Sequence, residues 1–297
     1  LRAFPEAKVG GPALAYPDSP IMEGFVKYCA DNGTPPDFIS WHQYNDDAAA
    51  HARHVMNKRA LLEKTFPGKH VEMMVTEFAP GFYEASVAEV LLGSRHAAIT
   101  ATAVFAMMDA RLDWSFYYHI WDQVNVAGQF ASFFEDADIM LSAWNKAPFR
   151  NGLFGVRCEV RPTYFAYQLL ERMGGDEAGA VSGAADLRVK GAIDGKGGAR
   201  AMLINHDART SRDMVAEIDF AGISGGLRLL NIYRIDDNSS WDEDTLTLTP
   251  VESRYVDISN EYSKRPFYCH VYCPADSVAL VELVPVTEAE MLAEYGF

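Results

Sequence analysis

The sequence is short of positive charge, of paired cysteines and of long apolar runs, and each shortage removes a class of function. Lys and Arg number 26 against 41 Asp and Glu, a net charge of −15, and the basic residues form no run. Nucleic acid and anionic membrane surfaces reward clustered positive charge, so neither is an expected partner. No apolar stretch approaches the ~20 residues of a bilayer-spanning helix. The four cysteines, Cys29, Cys158, Cys269 and Cys273, make no C-x-x-C pair of the metal-binding kind. Cys269 and Cys273 lie four apart in a strand-like run, roughly 13 Å along one face and too far for a disulfide. All four read as free thiols. The chain opens at Leu1, mid-pattern and without Met, and the sites Asn32-Gly-Thr and Asn238-Ser-Ser are no more than chance supplies, so the compartment stays open. A phosphate loop is missing too: Gly10-Gly11-Pro12 has proline where a third glycine and a helix start belong.

What is present is a chain of 297 residues, 49% hydrophobic, enough for one large or two medium domains. The first part alternates strand-like and helix-like segments. Strands are expected over Lys8 to Ala13, Phe38 to Tyr44, Val71 to Glu77 and Trp114 to His119. Helices are expected over Pro20 to Ala30, Asp47 to Thr65, Ser86 to Ala110 and Arg161 to Met173, the last opening with Pro162 in its first turn. The near-continuous apolar run before Glu77 marks a parallel strand buried on both faces. Four βα units in series argue for a parallel α/β fold. A closed (β/α)8 barrel takes about 250 residues, and this part has roughly 175; an open doubly-wound sheet is the competing architecture, and the missing phosphate loop argues against it.

After Gly174-Gly175 the texture changes. Val181 to Lys190, Arg200 to Asn205, Met214 to Phe220, Leu227 to Ile235, Tyr268 to Cys273 and Ser277 to Pro285 read as strands between Gly, Asp and Asn turns. Helical period returns only at Glu288 to Glu294. The expectation is an α/β region over residues 1–175 and an all-β sandwich over 176–297.

Glu77 is the sharpest chemical candidate. It ends a buried strand and precedes Phe78-Ala79-Pro80-Gly81, which must turn away from the sheet; a carboxylate at the C-terminal end of a barrel strand lies on the catalytic face. Read alone, it is equally a cap or a solvated loop residue. In Phe38 to Tyr44 the period of two puts Ser40, His42 and Tyr44 on one face and Trp41 on the other. Sequential strands are usually neighbours, so His42 and Tyr44 would flank Glu77, with core packing as the alternative for each. A Tyr hydroxyl donating to a carboxylate keeps it ionised and in place. Trp41 is kept as a supporting residue. The run Trp114 to Asp122 offers Tyr118 and Trp121 as flat apolar surfaces for a sugar face, and Asp122 and Gln123 as partners for hydroxyls. Phe116 reads as packing against a helix. His51 and His54, i and i+3 beside Asp46 and Asp47, are joined by no further ligand, so neither a metal nor another cofactor is expected.

Several of these segments resemble one family. Val9-Gly10-Gly11-Pro12-Ala13, Asp37 to Tyr44 and Val75-Thr76-Glu77-Phe78 are similar to strands five, six and seven of glycoside hydrolase family 39, the β-xylosidases, α-L-iduronidases and their relatives of clan A. Asn151 to Gly155, Arg161 to Tyr164 and Tyr233 to Asp236 resemble it as well, so the likeness runs along essentially the whole chain. The resemblance implies the C-terminal half of a (β/α)8 barrel followed by a β-sandwich, a structural buttress rather than a carbohydrate-binding module. It implies a retaining double displacement on an oligo- or polysaccharide or other glycoside, with Glu77 as nucleophile and His42 and Tyr44 as its supports. The family's acid/base comes from an Asn-Glu pair ending strand four, upstream of the Gly-Gly-Pro strand, and Glu6 stands in no such motif. The second carboxyl group and the N-terminal half-barrel are therefore expected from elsewhere, in cis or in trans, since a half-barrel exposes strand edges and an apolar interior. The alternative is a non-catalytic carbohydrate-binding or scaffold homologue without the acid. Tyr118 takes the position of a family Trp, and Gln123, Val124 and Asn125 follow Asp122 with no acid, which leaves the sugar undefined.

Overall fold

A computed structural model describes residues 4–81, 90, 92–122, 151–258 and 266–294. By contact the chain divides into two compact units, residues 1–88 with 102–159 and residues 89–101 with 160–297.

The first unit carries a four-stranded parallel sheet in chain order: β1 (Gly10–Leu14), β2 (Phe38–Tyr44), β3 (Glu72–Ala79) and β4 (Trp114–Tyr117). Helix α1 (Ile21–Asp31) joins β1 to β2 and buries Met22, Val26 and Cys29, a stripe at helical spacing. Helix α2 (Ala48–Thr65) joins β2 to β3 and starts where the Asp47 carboxylate accepts the Ala49 N–H at 2.9 Å. Its buried face is partly polar, with His51, His54 and Lys58 beside Val55 and Leu62. Helix α3 (Ser94–Asp109) precedes β4; the expected start of that helix at Ser86 lies outside the described residues. Gly10 is required by close approach, because a Cβ there would overlap the carbonyl oxygen and ring of Phe38 on β2.

The two faces of this sheet differ. On β2, Ile39, Trp41 and Gln43 are buried, while His42 and Tyr44 on the opposite face are partly exposed. On β3 the buried positions are Met73 and Val75 and then, after a break in parity, Phe78 and the terminal Ala79. The break is a β-bulge: Trp41 pairs with Val75 but His42 pairs with Glu77, so Thr76 is the extra residue. Phe116, read from the sequence as packing against a helix, is instead half exposed. Trp114 pairs with Met74 in the register, and alternation places Phe116 with them on the open face.

The second unit holds a six-stranded sheet in the order β12-β9-β14-β7-β6-β5 and a two-stranded sheet, β13-β8. Its members are β5 (Asp176–Ala178), β6 (Leu187–Ile193), β7 (Ala199–Asn205), β8 (Met214–Phe220), β9 (Leu227–Ile235), β12 (Glu252–Asp257), β13 (Phe267–Cys273) and β14 (Ser277–Pro285), all paired antiparallel. A small pair, β10 (Trp241–Asp242) and β11 (Thr247–Leu248), joins β9 to β12. Cys269, Val271 and Cys273 of β13 alternate inward and meet Leu203, Leu230, Val281 and Leu283 in one core. The four cysteines are free thiols.

Helix α4 (Pro162–Arg172), which the sequence assigned to the α/β region, groups with these strands. Side chains explain it. Arg172 donates to Glu282 of β14 at 2.7 Å and to the Tyr233 hydroxyl at 2.8 Å, and Phe165 lies against Trp241 at 4.9 Å. Strands β5, β10, β11 and β12 were not expected; each is short or mostly exposed, without a clear alternation. Helix α5 (Glu288–Glu294) spans its expected residues.

Candidate functional site

The bulge at Thr76 decides where Glu77 points. With strict alternation Glu77 would share the helix-facing side of Val75. The extra residue moves it onto the open face beside His42, and the Thr76 hydroxyl donates to the Trp41 carbonyl at 3.3 Å, across the bulge. There the Tyr44 hydroxyl donates to Glu77 Oε2 at 2.7 Å, and His42 Nδ1 lies 3.2 Å from the same oxygen. Oε1 receives no hydrogen bond from the described residues. The carboxyl side chain is 33% exposed, open enough for a ligand to reach it. Burial first, and then the bond to Glu77, push the Tyr44 phenol well above its ordinary range, so it keeps its proton and acts as a donor. One oxygen is held and the other is open, which suits a carboxylate that must attack in a fixed direction.

Tyr118 belongs to the same cluster. Its ring meets Tyr44 edge-on at 6.3 Å, and its N–H donates to the Phe78 carbonyl at 2.8 Å. Beyond it, Trp121 is half exposed and bridges Phe154, with ring centroids 5.4 Å apart. Asp122 serves the backbone: Oδ1 accepts the Gly152 N–H at 3.0 Å, and its own N–H donates to the Phe154 carbonyl at 2.9 Å. A Cβ at Gly152 would overlap the Asp122 N and the Phe154 oxygen, so the segment Asn151 to Phe154 closes on this strand exit through glycine. Asp122 Oδ1 is thus engaged in anchoring the loop. Gln123 lies outside the described residues.

Trp41 is not a surface for substrate. It is fully buried, its indole N–H donates to Gln43 at 3.0 Å, and the Lys58 ammonium sits 4.7 Å over its ring. It supports the strand that displays His42 and Tyr44. His51 and His54 part company: His51 Nε2 lies 2.9 Å from the Asn45 carbonyl, and His54 Nε2 lies 3.5 Å from Asp18. The residues that sequence reasoning passed over lie one step behind the site. Phe78 packs edge-on against Tyr117 at 5.7 Å, and the Tyr117 hydroxyl donates to the Asn151 carbonyl at 2.8 Å. The aromatic run around Tyr117 was visible; its partners, distant in sequence, were not.

The fold recurs in solved structures. A monomeric β-xylosidase from Caulobacter crescentus CB15 matches with TM-score 0.70 and 17% identity, over 96% of this chain and 63% of that one. A GH39 enzyme from Xanthomonas axonopodis pv. citri matches with TM-score 0.67 and 15% identity, over 96% and 62%. A glucosidase from Croceicoccus marinus matches with TM-score 0.67 and 18% identity, over 96% and 62%. The chain therefore spans under two thirds of the length of these structures. No curated protein sequence matches it. The sequence model of the glycosyl hydrolases family 39 matches residues 2–242, most of the chain, and the protein belongs to that family.

Proposed function

We propose that this chain is the nucleophile-bearing part of a retaining glycoside hydrolase, with its parallel sheet as the C-terminal half of a (β/α)8 barrel and its antiparallel unit as an accessory sandwich. The observation that carries the reading is the treatment of Glu77: the Tyr44 hydroxyl donating to Oε2 with His42 Nδ1 3.2 Å from the same oxygen, an open Oε1, and a strand end that presents both. In the first step Oε1 attacks the anomeric carbon of a glycoside. The bond to the leaving oxygen breaks, and that oxygen takes a proton from a second carboxyl group about 5–5.5 Å from Glu77. In the second step water attacks the glycosyl ester, gives its proton back to that carboxylate, and frees Glu77. Tyr44 holds Oε2 throughout, with His42 beside it. The second carboxyl group is assigned to polypeptide beyond these residues, in cis or in trans; the larger size of the structural relatives supports this. Tyr118 and Trp121 are the sugar-facing aromatics in this reading.

The test is hydrolysis of an aryl glycoside by the complete protein that carries this chain. Glu77→Gln removes the nucleophile and lowers kcat by several orders of magnitude, about 10³-fold or more. Full activity in that variant overturns the assignment. Oligosaccharide binding with no release of reducing ends by the unmodified protein instead identifies a carbohydrate-binding homologue without turnover.

A further inference from the structure

We infer that His51 is a positioning residue that sets the Tyr44–Glu77 pair; the inference rests on Glu77 being the nucleophile. His51 sits near the start of α2 and is fully buried. Its Nε2 is 2.9 Å from the Asn45 carbonyl oxygen, which only accepts, so Nε2 carries the proton. Burial lowers the tendency of the ring to charge. His51 is therefore neutral and protonated on Nε2, and Nδ1 has no hydrogen-bond partner among the described residues.

An orphaned buried acceptor is a cost, and an apolar side chain of similar size would fill the space without it. What histidine adds is a donor aimed at the backbone just after Tyr44. The same ring packs edge-on against Phe78, the residue just after Glu77, with centroids 6.2 Å apart. One side chain thus braces both strands a single residue beyond the pair they display. The neighbouring backbone is fastened in the same sense. Asn45 N–H donates to the Ala79 carbonyl at 3.3 Å, and Gly81 N–H donates to Asp46 Oδ1 at 2.7 Å.

The bulge gives this brace its importance. After the extra residue at Thr76 the ladder between β2 and β3 resumes for three pairs only, His42 with Glu77, Gln43 with Phe78 and Tyr44 with Ala79, so Glu77 and Tyr44 are held in a short stretch between the bulge and the strand ends. His51 adds a side-chain restraint to that short stretch, through Asn45 on one strand and Phe78 on the other. A carboxylate displaced by about 1 Å loses on the order of 10²-fold in rate.

The test compares His51→Phe, which keeps the ring against Phe78 and removes the donor, with His51→Gln, which keeps a donor. Both are assayed on an aryl glycoside in the complete protein, well below each variant's Tm, with Glu77→Gln alongside. The expected result is a kcat lower by about 10- to 100-fold for Phe with KM nearly unchanged, and recovery of most of that loss by Gln. If the Phe variant does not fold, His51→Met makes the same comparison. Wild-type kcat in the donor-less variant overturns the inference, as does a kcat loss that follows Tm with no difference between variants with and without a donor. An inactive Glu77→Gln beside a fully active His51→Phe defeats this inference alone; an active Glu77→Gln defeats the nucleophile assignment beneath it.

Discussion

The parallel unit buries one face of its sheet and leaves the other open, whereas the antiparallel unit covers both faces of its central strand over most of its length. On β2 the helix-facing Ile39 and Trp41 are inaccessible while His42 and Tyr44 remain partly exposed, and the open-face Trp114 and Phe116 of β4 are half exposed. On β14 every residue from Ser277 to Leu283 is buried. Ala279, Val281 and Leu283 face the core shared with β13, and Glu282 on the other side meets Arg172 of α4. Polar groups follow the same division. In the open sheet a carboxylate keeps one oxygen available; in the closed sheet a carboxylate has both oxygens engaged, by Arg172 at 2.7 Å and Arg200 at 3.4 Å. A buried carboxylate with all its partners fits a structural part, and a partly exposed one with a partner on one oxygen fits the reactive role proposed for Glu77.

Substitution separates the two roles. Glu282→Gln leaves the guanidinium groups of Arg172 and Arg200 without their shared counter-charge in a buried place. The expected cost is about 3 kcal/mol, the low end for breaking a buried pair, because Arg172 is itself partly exposed. Urea unfolding reads it as an earlier transition of the antiparallel unit, with the proposed activity of the complete protein unchanged below that transition. An unchanged midpoint would break the comparison. Tyr44→Phe does the converse. It removes one hydrogen bond to a charged oxygen, about 1.5–3 kcal/mol, and lowers kcat by about 10- to 100-fold with little change in Tm. A loss of Tm without a loss of kcat would place Tyr44 with the structural group instead.

Much of this arrangement was legible in the sequence, and the gaps have a physical cause. Strands β2, β8, β9 and β14 occupy their expected residues because apolar runs and period-two patterns extend to their turn residues. The pairing of His42 and Tyr44 with Glu77 followed from adjacency of sequential strands. The bulge did not follow. Val75-Thr76-Glu77 reads as ordinary alternation, which puts Glu77 on the wrong face, and only the register against β2 reveals the extra residue. The anchoring role of Asp122 was hidden for a related reason: its partner, the Gly152 N–H, lies thirty positions away. Helix α4 carries nothing local to say which unit it joins, since that depends on Glu282, 110 positions on.

Alkaline pH should divide the two units by sign. In the parallel unit, burial lowers Lys58 to about 8, with Asp18 partly opposing. Its Nζ donates to the Pro17 carbonyl at 2.7 Å and faces the Trp41 ring. An unfolded lysine titrates near 10.4. Between pH 8 and 10 the folded unit has given up that proton while the unfolded chain holds it, so stability rises with pH. Above pH 10 Tyr44, raised by burial and by Glu77, acts in the opposite sense and ends the gain. In the antiparallel unit, burial raises Cys269 and Cys273 to about 11. The unfolded chain then loses thiol protons first, from about pH 8.5 upward, and stability falls as pH rises toward 11. Each group changes stability by at most about 1.4 kcal/mol per pH unit. Urea titrations at pH 8 and pH 9.5 distinguish the units. Tryptophan emission in a Trp241→Phe background follows the parallel one, and thiol labelling of Cys269 and Cys273, corrected for the unfolded rate, follows the other. The first midpoint should rise and the second fall, and Lys58→Met should flatten the rise alone. Two midpoints moving together would mean that the buried lysine and the buried thiols do not set these slopes.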